Sequence, residues 1–378
     1  MAEPVLPRVI SDLVAATEIA APHRLWVGHD SWQAVIATDV APEGIAQFLA
    51  PIYRVKTATT ESVDVWIITA PDLVTRAETA SASHKGALPG DMVWLSGLYR
   101  LRPDASQLLT LRHGAARYIY VKGGAFASTF DAARAVRALL AAKAWAAGAV
   151  AIHAAAIAVG GWAYLLCGPK RRGKTTNLMA ALQHLPGVQF LANDRVYLHQ
   201  RGTELMALGS PHSIPVRAAT FRQFPPLAAY FGAEHVLGGA ARGYSEGIDL
   251  RKPAPMELDE GETYLSSGEL TRAFGVGEVA EAPLAGVIVL AAKGEAVRTP
   301  WQRQSSRWIA DMLEVNRHTQ IETNFAYWDA VYGSMQAAPI PDLSHFSLWS
   351  LHSWSRLAEA WTRAAIIEGA AGSGKPGD

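Results

Sequence analysis

The stretch Gly168-Pro169-Lys170-Arg171-Arg172-Gly173-Lys174-Thr175 constrains the fold more than any other part of this chain. It satisfies the Walker A pattern G-x-x-x-x-G-K-[ST], which in a chain this long arises by chance on the order of one time in a hundred. The pattern needs a buried strand before it and a helix after it. Both are legible here. Trp162 to Cys167 is apolar, and Leu178, Leu182 and Leu185 then recur on one helical face from Lys174 until Pro186-Gly187 stops the run. The glycines let the backbone wrap a phosphate and turn N–H groups toward it, and the following helix presents its positive end. In such a loop Lys174 reaches the β- and γ-phosphates, and Thr175 offers a hydroxyl to Mg²⁺. Residues Gly168 to Thr176 thus form the expected cradle for ATP. Lys170, Arg171 and Arg172 stand where small residues are usual. They are either a solvated crest or cations aimed at the γ-phosphate or an acidic acceptor.

The tail is a control. Gly369 to Lys375, GAAGSGK, repeats seven positions of the pattern, but Pro376 replaces the hydroxyl residue and no buried strand leads in. It reads as a flexible tail.

Lys plus Arg is 34 and Asp plus Glu is 34, a net charge of zero. That disfavours a general nucleic-acid binder, which carries a basic excess. One cysteine, Cys167, allows no internal disulfide and suits a reducing compartment. The opening MAEPVLPRVISDL lacks the basic start and apolar run of a secretory signal. These features predict a cytoplasmic protein. Ala144 to Gly168 has no charged residue and is long enough to span a bilayer. Its alanine-glycine composition, His153 and the turn pair Gly160-Gly161 instead predict two buried strands and a tight turn, with no membrane association.

The first 125 or so residues carry strand-like runs, including RLWVGHDSWQAVIATD, DVWIITAPD, MVWLSGLYRLR, QLLTLRHG and RYIYVKGG, and no catalytic motif. A helix follows, with Ser128 and Asp131 at capping-box spacing. Beyond the loop, VQFLANDRVYLH reads as a strand and Arg201-Gly202-Thr203 as a hairpin turn. His235 to Glu262 is rich in glycine and charge and predicts a lid. APLAGVIVL returns to a buried strand. The last eighty residues hold six of the twelve tryptophans and read as helices packed on the core.

Phosphoryl chemistry needs a carboxylate near the loop. Asn193-Asp194 ends an apolar run one helix and one strand downstream, so Asp194 can hold Mg²⁺ or accept the proton of an attacking hydroxyl; an Asp in a plain turn is the alternative. His153 lies in an apolar strand beside the loop. By itself such a histidine is more often a satisfied core residue.

Taken together, IHAAAIAVGGWAYLLCGPKRRGKTTNL followed by FLANDRVYL resembles the catalytic domain of HPr kinase and its relatives. These are P-loop kinases with a phosphoenolpyruvate carboxykinase-like fold. The resemblance covers roughly residues 128 to 292. It implies an α/β P-loop kinase domain, here with a strand-rich N-terminal α+β region. It also implies that Lys174 and Thr175 hold phosphate and metal, that Asp194 is the general base, and that His153 is catalytic. Asn193 stands where the family has its first aspartate, and Thr175-Thr176 where it often has Ser-Glu. Arg217, Arg242 and Arg251 are candidates for its arginine. The expected domains are 1–127 for recognition or packing, 128–300 for catalysis, 301–368 for C-terminal helices and 369–378 for the tail. The expected activity is ATP-dependent transfer to a seryl-type hydroxyl of a peptide, protein or small metabolite, and a homo-oligomer is compatible with the sequence. A nucleotide-binding regulatory protein with little turnover and a P-loop ATP hydrolase are the alternatives.

Overall fold

The structure, a computed structural model, describes residues 15–50, 52–59, 62–75, 93–95, 99–102, 108–113, 116–121, 125–169, 172–212, 214–217, 220, 223–232, 262–291, 302–303, 305–317, 339–341, 343 and 349–354. It is a mixed α/β protein of two compact units, Met1–Lys143 with Ile321–Met335, and Ala144–Gln320 with Gln336–Asp378.

The strand-like runs of the first unit form one eight-stranded sheet. Its members are β1 (His23–Gly28), β2 (Gln33–Thr38), β3 (Arg54–Thr57), β4 (Val65–Thr69), β5 (Val93–Leu95), β6 (Tyr99–Arg102), β7 (Leu108–His113) and β8 (Ala116–Val121). The order is β3-β1-β2-β4-β8-β7-β6-β5, with β2, β4 and β8 parallel and antiparallel hairpins on either side. Ile36, Val65, Ile67, Tyr118 and Tyr120 are buried along its centre. Helix α1 (Pro42–Leu49) turns Ile45 and Leu49 inward. Helix α2 (Ala125–Ala146) begins upstream of the expected Ser128 cap, so Ser128 and Asp131 lie within it. Its Lys143 Nζ donates to Asp64 Oδ1 at 2.6 Å and to the Gln33 carbonyl at 2.7 Å.

The second unit holds a ten-stranded sheet. Along it run β9 (Val150–Ile152), β10 (Ala154–Val159), β11 (Trp162–Cys167), β12 (Gln189–Ala192), β13 (Val196–Arg201) and β14 (Glu204–Gly209). β15 (Ile214–Arg217) and β16 (Glu262–Leu265) form a separate pair. β17 (Gly277–Glu278), β18 (Glu281–Ala291), β19 (Gln302–Arg303) and β20 (Trp349–Trp354) complete the large sheet. Its helices are α3 (Lys174–His184), α4 (Pro225–Gly232), α5 (Ser267–Phe274) and α6 (Ser306–Val315).

β18 organises this sheet. Met206 to Leu208 of β14 pair with its first residues, β11 pairs with it in parallel from Leu284, and β20 runs parallel to its last six residues. Ala154, Ala156, Ala158, Ala163, Leu165 and Cys167 share one buried cluster with Ile309 and Leu313 of α6. The intervening Ala155, Ile157, Tyr164 and Leu166 are buried too and point to the opposite face, where α3 lies against β10 and β11. A sheet covered on both faces loses its polar alternation, which is why Ala144 to Gly168 reads as continuously apolar. Among the described residues no helix is long and apolar enough to cross a membrane.

Three expectations change. The strand expected over Val150 to Val159 is broken at His153, and VQFLANDRVYLH is broken at Asn193 to Arg195. The C-terminal region is not all helix, because Trp349–Trp354 is a strand, held between β18 and β19. The glycine-rich segment with Arg242 and Arg251, the residues Lys170 and Arg171, Trp301, Trp328, Trp361 and the tail lie outside the described residues.

Candidate functional site

The glycine loop leaves the sheet at the end of β11. Gly168 has φ +154°, and a Cβ there would sit 3.2 Å from both the Cβ and the carbonyl oxygen of Leu290. Only glycine lets the chain turn out against β18 at this point. Gly173, at φ +83°, caps α3 with no side chain, and no acidic residue occupies the helix's first turn. The first N–H groups of α3 therefore lack the usual side-chain acceptor, which is the condition for anion binding at a helix start. Asn177 Nδ2 donates to the Gly173 carbonyl at 2.9 Å and braces the turn. Lys174 Nζ folds back onto the carbonyls of Gly168, at 2.8 Å, and Pro169, at 3.2 Å. Burial draws its ammonium below the usual lysine value, against the opposing pull of Asp194 and Cys167. Thr175 Oγ1 donates to Asn193 Oδ1 at 3.2 Å. Thr176 is half-buried in the first turn of α3, Pro169 is exposed, and the Arg172 N–H donates to the Pro169 carbonyl at 3.3 Å.

Asn193, Asp194 and Arg195 form a corner between β12 and β13. Asp194 has φ +73° and is the one non-glycine residue at positive φ among those described. Aspartate tolerates this region better than most residues but still strains the backbone, by roughly 1–3 kcal/mol. The strain turns consecutive side chains to different partners. Asn193 meets Thr175, while Asp194 Oδ1 accepts from His153 Nε2 at 3.1 Å. A carboxylate only accepts, so His153 carries a proton on Nε2.

Two strand pairings at Val196 build this corner. On one edge Val196 lies opposite Ile152, which brings His153 alongside. On the other it lies opposite Gly209, which brings the Ser210-Pro211-His212 turn alongside. Burial by itself would raise the Asp194 carboxyl. The His153 hydrogen bond, together with the charges of His212, His153 and Arg195, holds it well below the usual carboxylate range. Asp194 is therefore an anion at any physiological pH.

Thr175, Asn193 and Asp194 offer only oxygen donors, which suits Mg²⁺ better than a thiophilic metal. Among the described residues no group of three or more His, Cys, Asp or Glu side chains is gathered for a metal. The donor set thus fits an ion that takes most of its shell from phosphate and water. Cys167 is buried, and burial pushes its thiol up to about 12, so it is no nucleophile here.

Lys174, Thr175, Asn193, Asp194 and His153 thus meet at one end of the sheet. Arg217 ends β15 in the separate pair of strands. Sequence reasoning missed His212, Arg195 and Asn316. Asn316 follows α6; its Oδ1 accepts the Gly168 N–H at 3.2 Å and its carbonyl accepts the His153 N–H at 2.7 Å. Only strand register could have found His212, and an asparagine after a helix reads as an ordinary cap.

No family model matches the chain, and no curated protein matches it significantly. Among solved structures it is weakly similar to the Hpr(Ser) kinase/phosphatase from Coxiella burnetii, with 14% identity over 59% of this chain and 95% of that one, at a TM-score of 0.26. A likeness this weak bears on neither fold nor activity, so any reading of function rests on the site itself.

Proposed function

We propose that this chain is an ATP-dependent phosphotransferase acting on a hydroxyl acceptor. One observation carries the reading: a strand, glycine loop and uncapped helix start, bearing Lys174 and Thr175, stand beside an aspartate fixed by a histidine. Lys174 exchanges its two loop carbonyls for phosphate oxygens and offsets their charge. Gly173 and the first turn of α3, Lys174 to Thr176, hold the phosphates with backbone N–H groups. Thr175 and Asp194, with the Asn193 carbonyl, hold Mg²⁺, which when bound offsets the charge on the transferred group. Asp194 orients the acceptor hydroxyl and takes its proton as the new O–P bond forms and the bond to the leaving nucleoside diphosphate breaks. A depressed carboxyl is a weak base. That suffices, because the hydroxyl proton becomes acidic once oxygen has bonded to phosphorus. His153 keeps Asp194 in line through Nε2. The acceptor is a seryl-type hydroxyl on a peptide, protein or small metabolite.

The test follows labelled γ-phosphate in the presence and absence of candidate acceptors, with Lys174→Ala alongside. Label in an acceptor, lost in the variant, supports the reading. Label found only as inorganic phosphate points to a hydrolase.

A second reading has its own observation. Asn193 supplies no charge, and Thr175 already donates to it. A site with one carboxylate suits a nucleotide-binding regulator with little turnover. Binding of Mg²⁺–ATP without labelled product would select it.

A further inference from the structure

We propose that Asn316 is a positioning residue that holds the glycine loop and His153 in register with each other, an inference that rests on the phosphate-binding reading of this loop. β10 and β11 pair from Val159↔Trp162 to Ala154↔Cys167. The next residues outward are His153 and Gly168, and there the two strands diverge. One continues into β9 and the other enters the glycine loop. Neither N–H continues the ladder. The His153 N–H donates to the Asn316 carbonyl at 2.7 Å, and the Gly168 N–H donates to Asn316 Oδ1 at 3.2 Å. One residue thus closes the open end of the hairpin from outside.

The amide orientation is fixed by chemistry. Gly168 N–H can only donate and the Met312 carbonyl can only accept, so Oδ1 faces the loop while Nδ2 donates to Met312 at 2.8 Å. Asn316 is 6% exposed, and the next residue, Arg317, bridges to Ile152. The end of α6 is thereby fastened to β9 on one side and to the loop on the other. Gly168 supplies a carbonyl to Lys174, and His153 supplies Nε2 to Asp194. Asn316 is therefore one bond removed from both halves of the site, the half that holds phosphate and the half that receives the proton. It acts through these residues and touches no substrate.

Three variants separate this role from helix stability. Asn316→Leu keeps the shape and removes both side-chain bonds. Asn316→Asp keeps an oxygen for Gly168 and loses the donor to Met312. Ser305→Ala removes the cap at the other end of α6, where Ser305 accepts the Trp308 N–H at 3.2 Å. Two readouts are taken. One is amide hydrogen exchange at Gly168 without nucleotide; the other is the dissociation constant for Mg²⁺–ATP, with Lys174→Ala as the non-binding control. Asn316→Leu is expected to speed Gly168 exchange and weaken binding, each by roughly tenfold or more. Asn316→Asp should fall between it and wild type. Ser305→Ala should lower Tm with both readouts unchanged. Wild-type exchange and binding in Asn316→Leu would overturn the proposal, as would equal losses in Ser305→Ala. If the wild type binds no nucleotide, the phosphate-binding reading falls by itself, and Gly168 exchange still decides whether Asn316 holds the loop.

Discussion

Asp194 carries a backbone strain and a carboxylate at once, and the two can be separated by substitution. Asn is the side chain that best tolerates positive φ after glycine, so Asp194→Asn removes the charge with little added strain. It should lower phosphoryl transfer by roughly 10²-fold or more, the scale of lost general-base catalysis, while Asn193→Ala costs much less. Steady-state rates on both variants check this, and equal losses would unseat Asp194. The same variant has a pH signature. The folded-state carboxyl is depressed, so the stability it contributes is fully present above its ordinary value of about 4 and fades as pH falls toward the folded value. Denaturation of wild type and Asp194→Asn should therefore give a constant difference from neutral pH down to about 5 and a shrinking one below about 4. Cys167 allows a simpler test. Its buried thiol, raised to about 12, should resist alkylation at neutral pH until denaturant is added.

Elements differ in how openly the sequence announces them. The glycine loop, α3 and the buried strands around it were legible because each rests on local chemistry: glycine at positive φ, leucines at helical spacing, unbroken apolar runs. The breaks at His153 and at Asn193 to Arg195 were not. Each arises where a strand changes neighbours, and pairing is a property of the sheet and not of the segment. Trp349–Trp354 reads as helix and is a strand for the same reason, because its pairing with β18 decides its conformation. The central strands should also be the most sensitive to volume. Leu165 on β11 is fully buried in the cluster under α6, and Leu165→Ala should cost about 2–5 kcal/mol in denaturant-induced unfolding.

At the scale of the molecule, the first unit forms its own sheet and core, and the described chemistry lies in the second. A length of 378 residues allows two domains or one large one; it does not reveal that residues late in the chain return to the second sheet. Nucleotide should stabilise the folded protein by mass action. Mg²⁺–ATP at about a hundred times its dissociation constant adds roughly 2.7 kcal/mol. A thermal scan should show Tm rising with nucleotide in wild type and fixed in Lys174→Ala. The hold of Asn316 on Gly168 spans 148 positions of sequence. A ribosome adding about 5–20 residues per second needs roughly 7–30 s to make that stretch. For that interval the nascent chain already has its glycine loop and lacks the residue that accepts the Gly168 N–H. β20, which completes the pairing of β18, comes later still. The site should therefore be among the last parts of the protein to become competent during synthesis, however early its motif is translated.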